Sequence, residues 1–290
     1  MAGRATETII VEFTKTKALS NMFSHYLITR FNLRSKSSEI VIYNNNDIAI
    51  SLPWLTHRFE LFEKYCFPSV KNQTCNSFNW LVFFDDETPQ IFRDKIKGLQ
   101  LQMNNFTPIF INKNCDFNSE AVSYINKDDS FSSSDYIITT RLDNDDAISL
   151  NFIKSVQDCF VPNHNTLIDI RNGYQVTIKA NYKYEIREYK PSSNHFISII
   201  EEKSKTNTIF SNIHPAWENI ATKVIILKRD KLWIEFIHGN NNLCHTRNYL
   251  KRIHKLKHSD FGLSMEIKDS PIKVIFANIT KLFNKLIRRN

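Results

Sequence analysis

Glycine is scarce in this 290-residue chain: Gly3, Gly98, Gly173, Gly239 and Gly262 are all it has. No two stand close enough for G-x-G-x-x-G or a Walker A loop, so Rossmann dinucleotide and P-loop sites lose the turn chemistry they need. Cysteine is equally sparse. Cys66, Cys75, Cys115, Cys159 and Cys244 are odd in number and contain no C-x-x-C. That argues against a zinc knuckle or disulfide framework and for a reducing compartment. No apolar run approaches the roughly 18 residues of a membrane span, and there is no secretory h-region. The expectation is a soluble, cytoplasmic protein, with length enough for one large α/β domain or two small ones.

Charge is present but unevenly spread. The net charge is +8, and residues 246–290 account for all of it, with eleven Lys/Arg against three Asp/Glu. The body is balanced like an ordinary enzyme, so no nucleic-acid partner is expected. In the tail, Ile275, Ile279, Leu282, Phe283 and Leu286 form one helical stripe, with Lys281, Lys285, Arg288 and Arg289 mostly off it. This is the composition of an interfacial helix, and residues 272–290 are expected to meet an anionic membrane surface. The protein would then sit peripherally on the inner face of the cell membrane. The competing reading is a C-terminal helix docked on the protein's own core.

Along the chain, residues 1–21 show no clear period and read as a leader or tag-like arm. Ser24–Thr29 reads as a buried strand, and a short strand is expected at Ile40–Tyr43. Leu55, Phe59, Phe62 and Cys66 stripe an amphipathic helix that Pro68 should stop. The run from Asn79 to Phe84 is a second buried strand. Pro89 opens a helix striped by Phe92, Ile96, Leu99 and Met103. Pro108–Ile111 is a short strand and Tyr136–Thr140 the central one. A helix beginning near Ser149 follows, striped by Leu150, Ile153, Val156 and Phe160. Such alternation implies a largely parallel sheet, whose ligands bind beyond the carboxyl ends of the strands. After residue 165 the pieces Thr166–Ile170, Tyr174–Ile178, Lys223–Leu227 and Trp233–His238 suggest a smaller mixed β region of the same domain, the acceptor side if the chain transfers a group.

Three strands end in polar clusters: Arg30-Phe31-Asn32, Asp85-Asp86, and Arg141-Leu142-Asp143-Asn144-Asp145-Asp146. Carboxylates one residue apart, such as Asp143 and Asp145, can share a hard divalent ion, Mn²⁺ or Mg²⁺, together with substrate phosphates. An acidic turn with Asp146 or Ser149 as helix N-cap would use the same residues structurally. Arg30 and Arg141, each at a strand end, can donate to phosphate oxygens or pair with the acidic cluster.

These residues bring a resemblance with them. Pro68-Ser69-Val70, Gln73-Thr74, and Phe78 running into Asp85-Asp86-Glu87-Thr88 resemble the opening of inverting GT-A glycosyltransferases. The chain is more similar to a bacterial and viral family of this type, the putative rhamnosyltransferases. Its marks here are Thr29-Arg30-Phe31-Asn32, the helix Trp54 to Glu63, Arg141 to Asp146, and Trp233 with His238-Gly239-Asn240-Asn241. The resemblance spans about residues 24–242. It implies a GT-A-like α/β fold: a mostly parallel Rossmann-type sheet flanked by helices. It also implies that Phe31 and Asn32 line the nucleotide pocket, with Phe31 against the base, and that Asp85 accepts from the base N–H. Asp143 would face the ribose or metal, Asp145 would be the main metal ligand, and His238 would reach the metal or diphosphate; as a plain structural residue, His238 would end a strand packed under Trp233. The acidic pair that usually presents the catalytic base is missing. Glu218, an acidic residue in the aromatic setting His214-Pro215-Ala216-Trp217-Glu218, is the candidate base, and an ordinary helix N-terminal glutamate is the other reading of it.

The function these expectations describe is metal-dependent transfer of a sugar, rhamnose or another hexose, from a nucleoside diphosphate to a glycan or lipid-linked glycan. The organisation would be an arm (1–21), a catalytic domain (22–245) and a basic tail (246–290). Two other readings compete: a non-catalytic membrane-surface or nucleic-acid binding protein using the tail, and a sugar nucleotidyltransferase. The second lacks its usual Gly-rich N-terminal loop.

Overall fold

A computed structural model describes residues 7–10, 22–34, 46–128, 134–192, 194–228, 230–239 and 245–287. The expected strand at 40–43, the residues Asn240 and Asn241, and Arg288 and Arg289 lie outside these. An eight-stranded sheet organises the chain. Its strands are β1 (Glu7–Ile10), β2 (Phe23–Arg30), β3 (Asn79–Asp85), β4 (Phe106–Ile111), β5 (Tyr136–Arg141), β7 (Thr166–Ile170), β10 (Ser198–Glu202) and β11 (Lys223–Leu227). They run in the order β1-β11-β7-β10-β5-β2-β3-β4. All neighbours are parallel except β10, which is antiparallel to both β7 and β5. The expected α/β architecture with a mostly parallel sheet is present. The arm is not featureless, because its residues Glu7–Ile10 pair with Lys223–Ile226 at the sheet edge.

Both faces of the sheet are covered, which is why its strands are continuous apolar runs. Along β3 the side chains alternate. Trp80, Val82 and Phe84 join a core with Leu55, Phe59 and Phe62, and with Phe92, Ile96 and Leu99. Leu81 and Phe83 face the other way, against Ala121 and Ile125. The first core thus holds α1 (Leu52–Leu61), α3 (Gln90–Gln100) and α5 (Phe152–Gln157), and the second holds α4 (Phe117–Lys127). Each of these large side chains contributes about 1.5–3 kcal/mol on burial.

Helix α1 outlasts its expected end. A π-helical turn, Phe62–Cys66, leads into α2 (Phe67–Lys71), with Pro68 in its first turn. Phe67 N–H reaches back five residues to Phe62 O, and this wide turn shifts the bonding register next to Pro68, so the proline does not end the helix. The wide turn also lets Cys66 sit under the Asp143 carbonyl, 3.7 Å from Sγ, and π-turns recur where helices line functional sites. The helix expected from Ser149 is shorter and later. The two-residue strand β6 (Ala147–Ile148) comes first, and α5 begins after Asn151.

A second, five-stranded sheet carries the acceptor-side pieces in the order β13-β9-β8-β12-β6. Its members are β8 (Gly173–Lys179), β9 (Lys183–Tyr189), β12 (Trp233–Ile237) and β13 (Arg252–Ile253), besides β6. Gly173 is required where β8 pairs with Trp233, because a Cβ there would lie 2.2 Å from the indole. The short helix α6 (Trp217–Ile220) precedes β11, and α7 (Pro271–Ile287) closes the described chain. Among the described residues no helix is long and apolar enough to cross a membrane.

Candidate active site

The carboxyl ends of β2, β3 and β5 meet because the three strands are adjacent and parallel, with Ile28 opposite Arg141 and Arg30 opposite Phe83. The three polar clusters therefore converge as expected. Their partners, however, differ from those the motifs implied.

Asp145 is held from two sides. Arg58 of α1 donates from Nη1 to its Oδ2 at 2.5 Å, and His238 Nε2 lies 2.8 Å from the same oxygen. Arg58 also donates to Asn144 Oδ1 at 3.1 Å. Burial pushes the Asp145 carboxyl up, but Arg58 and His238 outweigh it and hold the group well below the usual carboxylate range. The expected main metal ligand is thus half of a buried ion pair, and His238 serves that pair.

A different trio has the geometry that could hold a cation. One ligand atom each from Asp143, Asp146 and His195 lie within 4.8 Å of one another. Two carboxylates and an imidazole suit Mn²⁺, and Mg²⁺ less well, since Mg²⁺ favours oxygen. Asp146 accepts the Phe236 backbone N–H at 2.8 Å and pairs with His195 Nε2 at 2.9 Å. Burial and the neighbouring Asp145 and Asp143 charges push Asp146 up to about 7 despite that histidine. Burial pulls His195 down, but Asp146 and Asp143 more than offset it and raise it. The pair therefore holds a proton near neutrality, which a bound cation would displace. Asp143 is half-buried and pairs with Arg141 at 3.1 Å. Burial raises its carboxyl, yet Arg141 and His195 bring it below its ordinary value.

Arg30 and Arg141 flank the acidic cluster. Their guanidinium carbons lie 5.1 Å and 5.5 Å from the Phe210 ring centre. Burial, followed by repulsion from Arg141, lowers Arg30 to about 10. Two like charges held this close favour an anion between or beside them.

The remaining expected residues are tied into the scaffold. Phe31 packs its ring among Phe59, Phe62 and Phe84, with centroids 4.5–5.1 Å away, and is 4% exposed. Its side chain is core, not a base-stacking face. Asn32 accepts the Asp85 backbone N–H and donates to Ala49 O and Thr88 Oγ1. Asp85 is fully buried and gripped bidentately by Arg34, at 2.8 Å and 2.7 Å. Glu218 pairs with Arg171, which also grips Asp169 at 2.7 Å. Asp169 in turn accepts from Asn194 at 2.8 Å, beside His195. His214 of the Glu218 segment reaches the same histidine, with ring centres 6.2 Å apart.

Sequence reasoning passed over Arg34, Arg58 and His195. Arg58 carried a signal, because it falls three residues after Leu55 on the buried face of α1. His195 carried none. Its place comes from the pairing of β10 with β5, which sets the segment before β10 beside the loop after β5. A groove of about 450 Å³ lies nearby, lined among others by Glu188, Tyr189, Ser192, Tyr249 and Lys251. Ser192 is three residues from His195, so the two Cα atoms are at most about 11 Å apart.

Among solved structures, the chain is similar to S. aureus TarS 1-349, with 10% identity and a TM-score of 0.42, covering 73% of this chain and 60% of that one. The same segment in complex with UDP matches at 9% identity and 0.42, over 74% and 60%. A third is a putative glucose-1-phosphate thymidylyltransferase from Bacillus anthracis in complex with a sucrose, at 9% and 0.34, over 71% and 87%. The chain thus spans about three-fifths of the TarS segment it matches. No curated protein matches it. The sequence profile described as "Putative rhamnosyl transferase" matches residues 24–249, more than three-quarters of the chain, and the chain belongs to that family.

Proposed function

We propose that this protein is a glycosyltransferase that moves a sugar, rhamnose or another hexose, from a nucleoside diphosphate to a hydroxyl of a glycan or lipid-linked glycan. The observation that carries the reading is the meeting of Asp143, Asp146 and His195 with Arg30 and Arg141 at the carboxyl end of the parallel strands. Family membership supports the same chemistry.

Asp143, Asp146 and His195 would hold Mn²⁺ or Mg²⁺, which supplies Lewis-acid neutralisation of the diphosphate. Arg30 and Arg141 donate to phosphate oxygens as charge leaves with the nucleotide. The Arg58–Asp145–His238 group keeps the loop in place, so that Asp143 and Asp146 point to one spot. Arg34 and Asp85 fix the nucleotide side of the cleft. Glu218 is the proposed base, held by Arg171 on the segment that reaches His195; it takes the proton of the attacking hydroxyl. The acceptor glycan lies in the groove beside Tyr249, whose exposed ring offers a stacking face to a sugar.

A thermal-shift screen of UDP-, GDP- and dTDP-sugars with Mn²⁺ tests this. A ligand at about 100 times its Kd stabilises by about 2.7 kcal/mol, a readily measured shift. A flat response across all three nucleotides would remove the reading.

A further inference from the structure

Helix α7 is docked by its polar side. Asn278 donates to the Arg252 carbonyl at 2.8 Å and accepts the Arg252 N–H at 3.1 Å, and Lys281 donates to the Leu250 carbonyl. Val274, one turn earlier, is the buried apolar residue of this face. Residues 274, 278 and 281 share one side of a helix with 3.6 residues per turn. The opposite side carries Ile272, Ile275, Phe276, Ile279, Leu282 and Phe283, each between 53% and 66% exposed. A helix that served only to cap its own core would turn these residues inward. Elsewhere among the described residues, exposed large hydrophobics are scattered along the chain, as on any soluble surface, whereas a contiguous patch marks a contact.

Charge selects the occupant. Helix α7 carries Lys273, Lys281 and Lys285 and no acid, whereas the basic residues between 247 and 268 pair with carboxylates of this chain. A second copy meeting this face would bring two cationic helices together, and like charges oppose that contact. An anionic lipid surface complements both features, because apolar side chains enter the headgroup boundary while lysines and arginines meet phosphates. We infer that the outward face of α7 docks this protein on anionic membrane surfaces, lying in the interface plane. The contacts of Asn278 and Lys281 fall on Arg252 and Leu250, and Leu250 lines the groove beside Tyr249. Docking therefore holds that groove in a fixed relation to the bilayer. The surface contact is independent of which sugar or acceptor the site uses.

The test is co-sedimentation of the full-length protein with phosphatidylglycerol-containing vesicles and with pure phosphatidylcholine vesicles, at low and high salt. The comparison variant is Ile279→Glu/Phe283→Glu, whose changes fall on exposed positions. Wild type should bind the anionic vesicles, bind the neutral ones more weakly, and lose affinity with salt. The variant should bind about a hundredfold more weakly, from the lost burial of two large apolar side chains, with an unchanged circular dichroism spectrum. Equal binding by both proteins would overturn the inference. So would a wild type that ignores vesicles but forms a dimer abolished in the variant. Neither outcome depends on sugar transfer, so this inference can fail without touching the proposed activity.

Discussion

Replacing Arg58 by Met separates the two roles open to Asp145. Arg58 and Asp145 are 8% and 7% exposed, and their 2.5 Å contact lies beside two further carboxylates, Asp143 and Asp146. An exposed ion pair would contribute about 0–1 kcal/mol. Removing one partner of a buried pair costs about 3–5 kcal/mol, because the other charge stays dehydrated and unpaired. The burial here places Arg58→Met in the second class. Despite burial, Arg58 and His238 together hold the Asp145 carboxyl below its unfolded value, so the pair's stabilisation is present above the unfolded carboxylate pKa and is lost as pH falls. The deficit of the variant should therefore be largest near neutral pH and shrink as pH falls below about 4. The double variant Arg58→Met/Asp145→Asn should recover most of the loss, since neither charge remains. Urea unfolding of the four proteins of this cycle measures it. A single-variant loss below about 1 kcal/mol, or a cycle that is additive, would refute the argument that Arg58 and Asp145 are a dehydrated pair.

Two further consequences concern the sheet and its core. His25 is buried, with Nε2 2.8 Å from Thr140 Oγ1, and burial lowers its pKa to about 3. Its neutral form contributes stability above the unfolded value near 6.5, and this is lost as pH falls toward 3, by up to about 1.4 kcal/mol per pH unit; His25→Gln should flatten that limb of a stability–pH curve. Phe31→Ala should cost about 3–5 kcal/mol of unfolding free energy as a core truncation, while calorimetry of the folded variant should show nucleotide affinity near that of wild type.

The parts of the fold legible in the sequence were those with an uninterrupted period. Asn79–Asp85 and Tyr136–Arg141 are apolar on both faces because both faces are covered, and they are hard to mistake. Helix α4 escaped notice because its buried set, Ala121 and Ile125, is small and set among Asn, Ser and Lys. Its start was marked all the same, since Asp116 caps it by accepting the Ser119 N–H at 2.8 Å. Strand β10 is five residues long, and pairing with β5 and β7 decides its state more than its own composition does. At the site, the motifs located the loop but not the division of labour within it. The spacing of Asp143, Asp145 and Asp146 cannot say which of them a cation from α1 will neutralise. That depends on Arg58, 87 residues away, and on His195, brought in by an antiparallel strand. Phe31 and Asp85 show the same limit: each sits at the expected strand end, but its local partners are residues of this chain.

The most direct measurement is the Mn²⁺ dependence of nucleotide release from a nucleotide sugar, comparing wild type with His195→Ala and Asp145→Asn. If Asp143, Asp146 and His195 hold the ion, release stops in excess chelator. The Mn²⁺ concentration for half-maximal rate then rises about 10–100-fold in His195→Ala, and Asp145→Asn shifts it much less. Full activity in chelator, or a His195→Ala profile that overlays wild type while Asp145→Asn loses its Mn²⁺ response, would contradict the account.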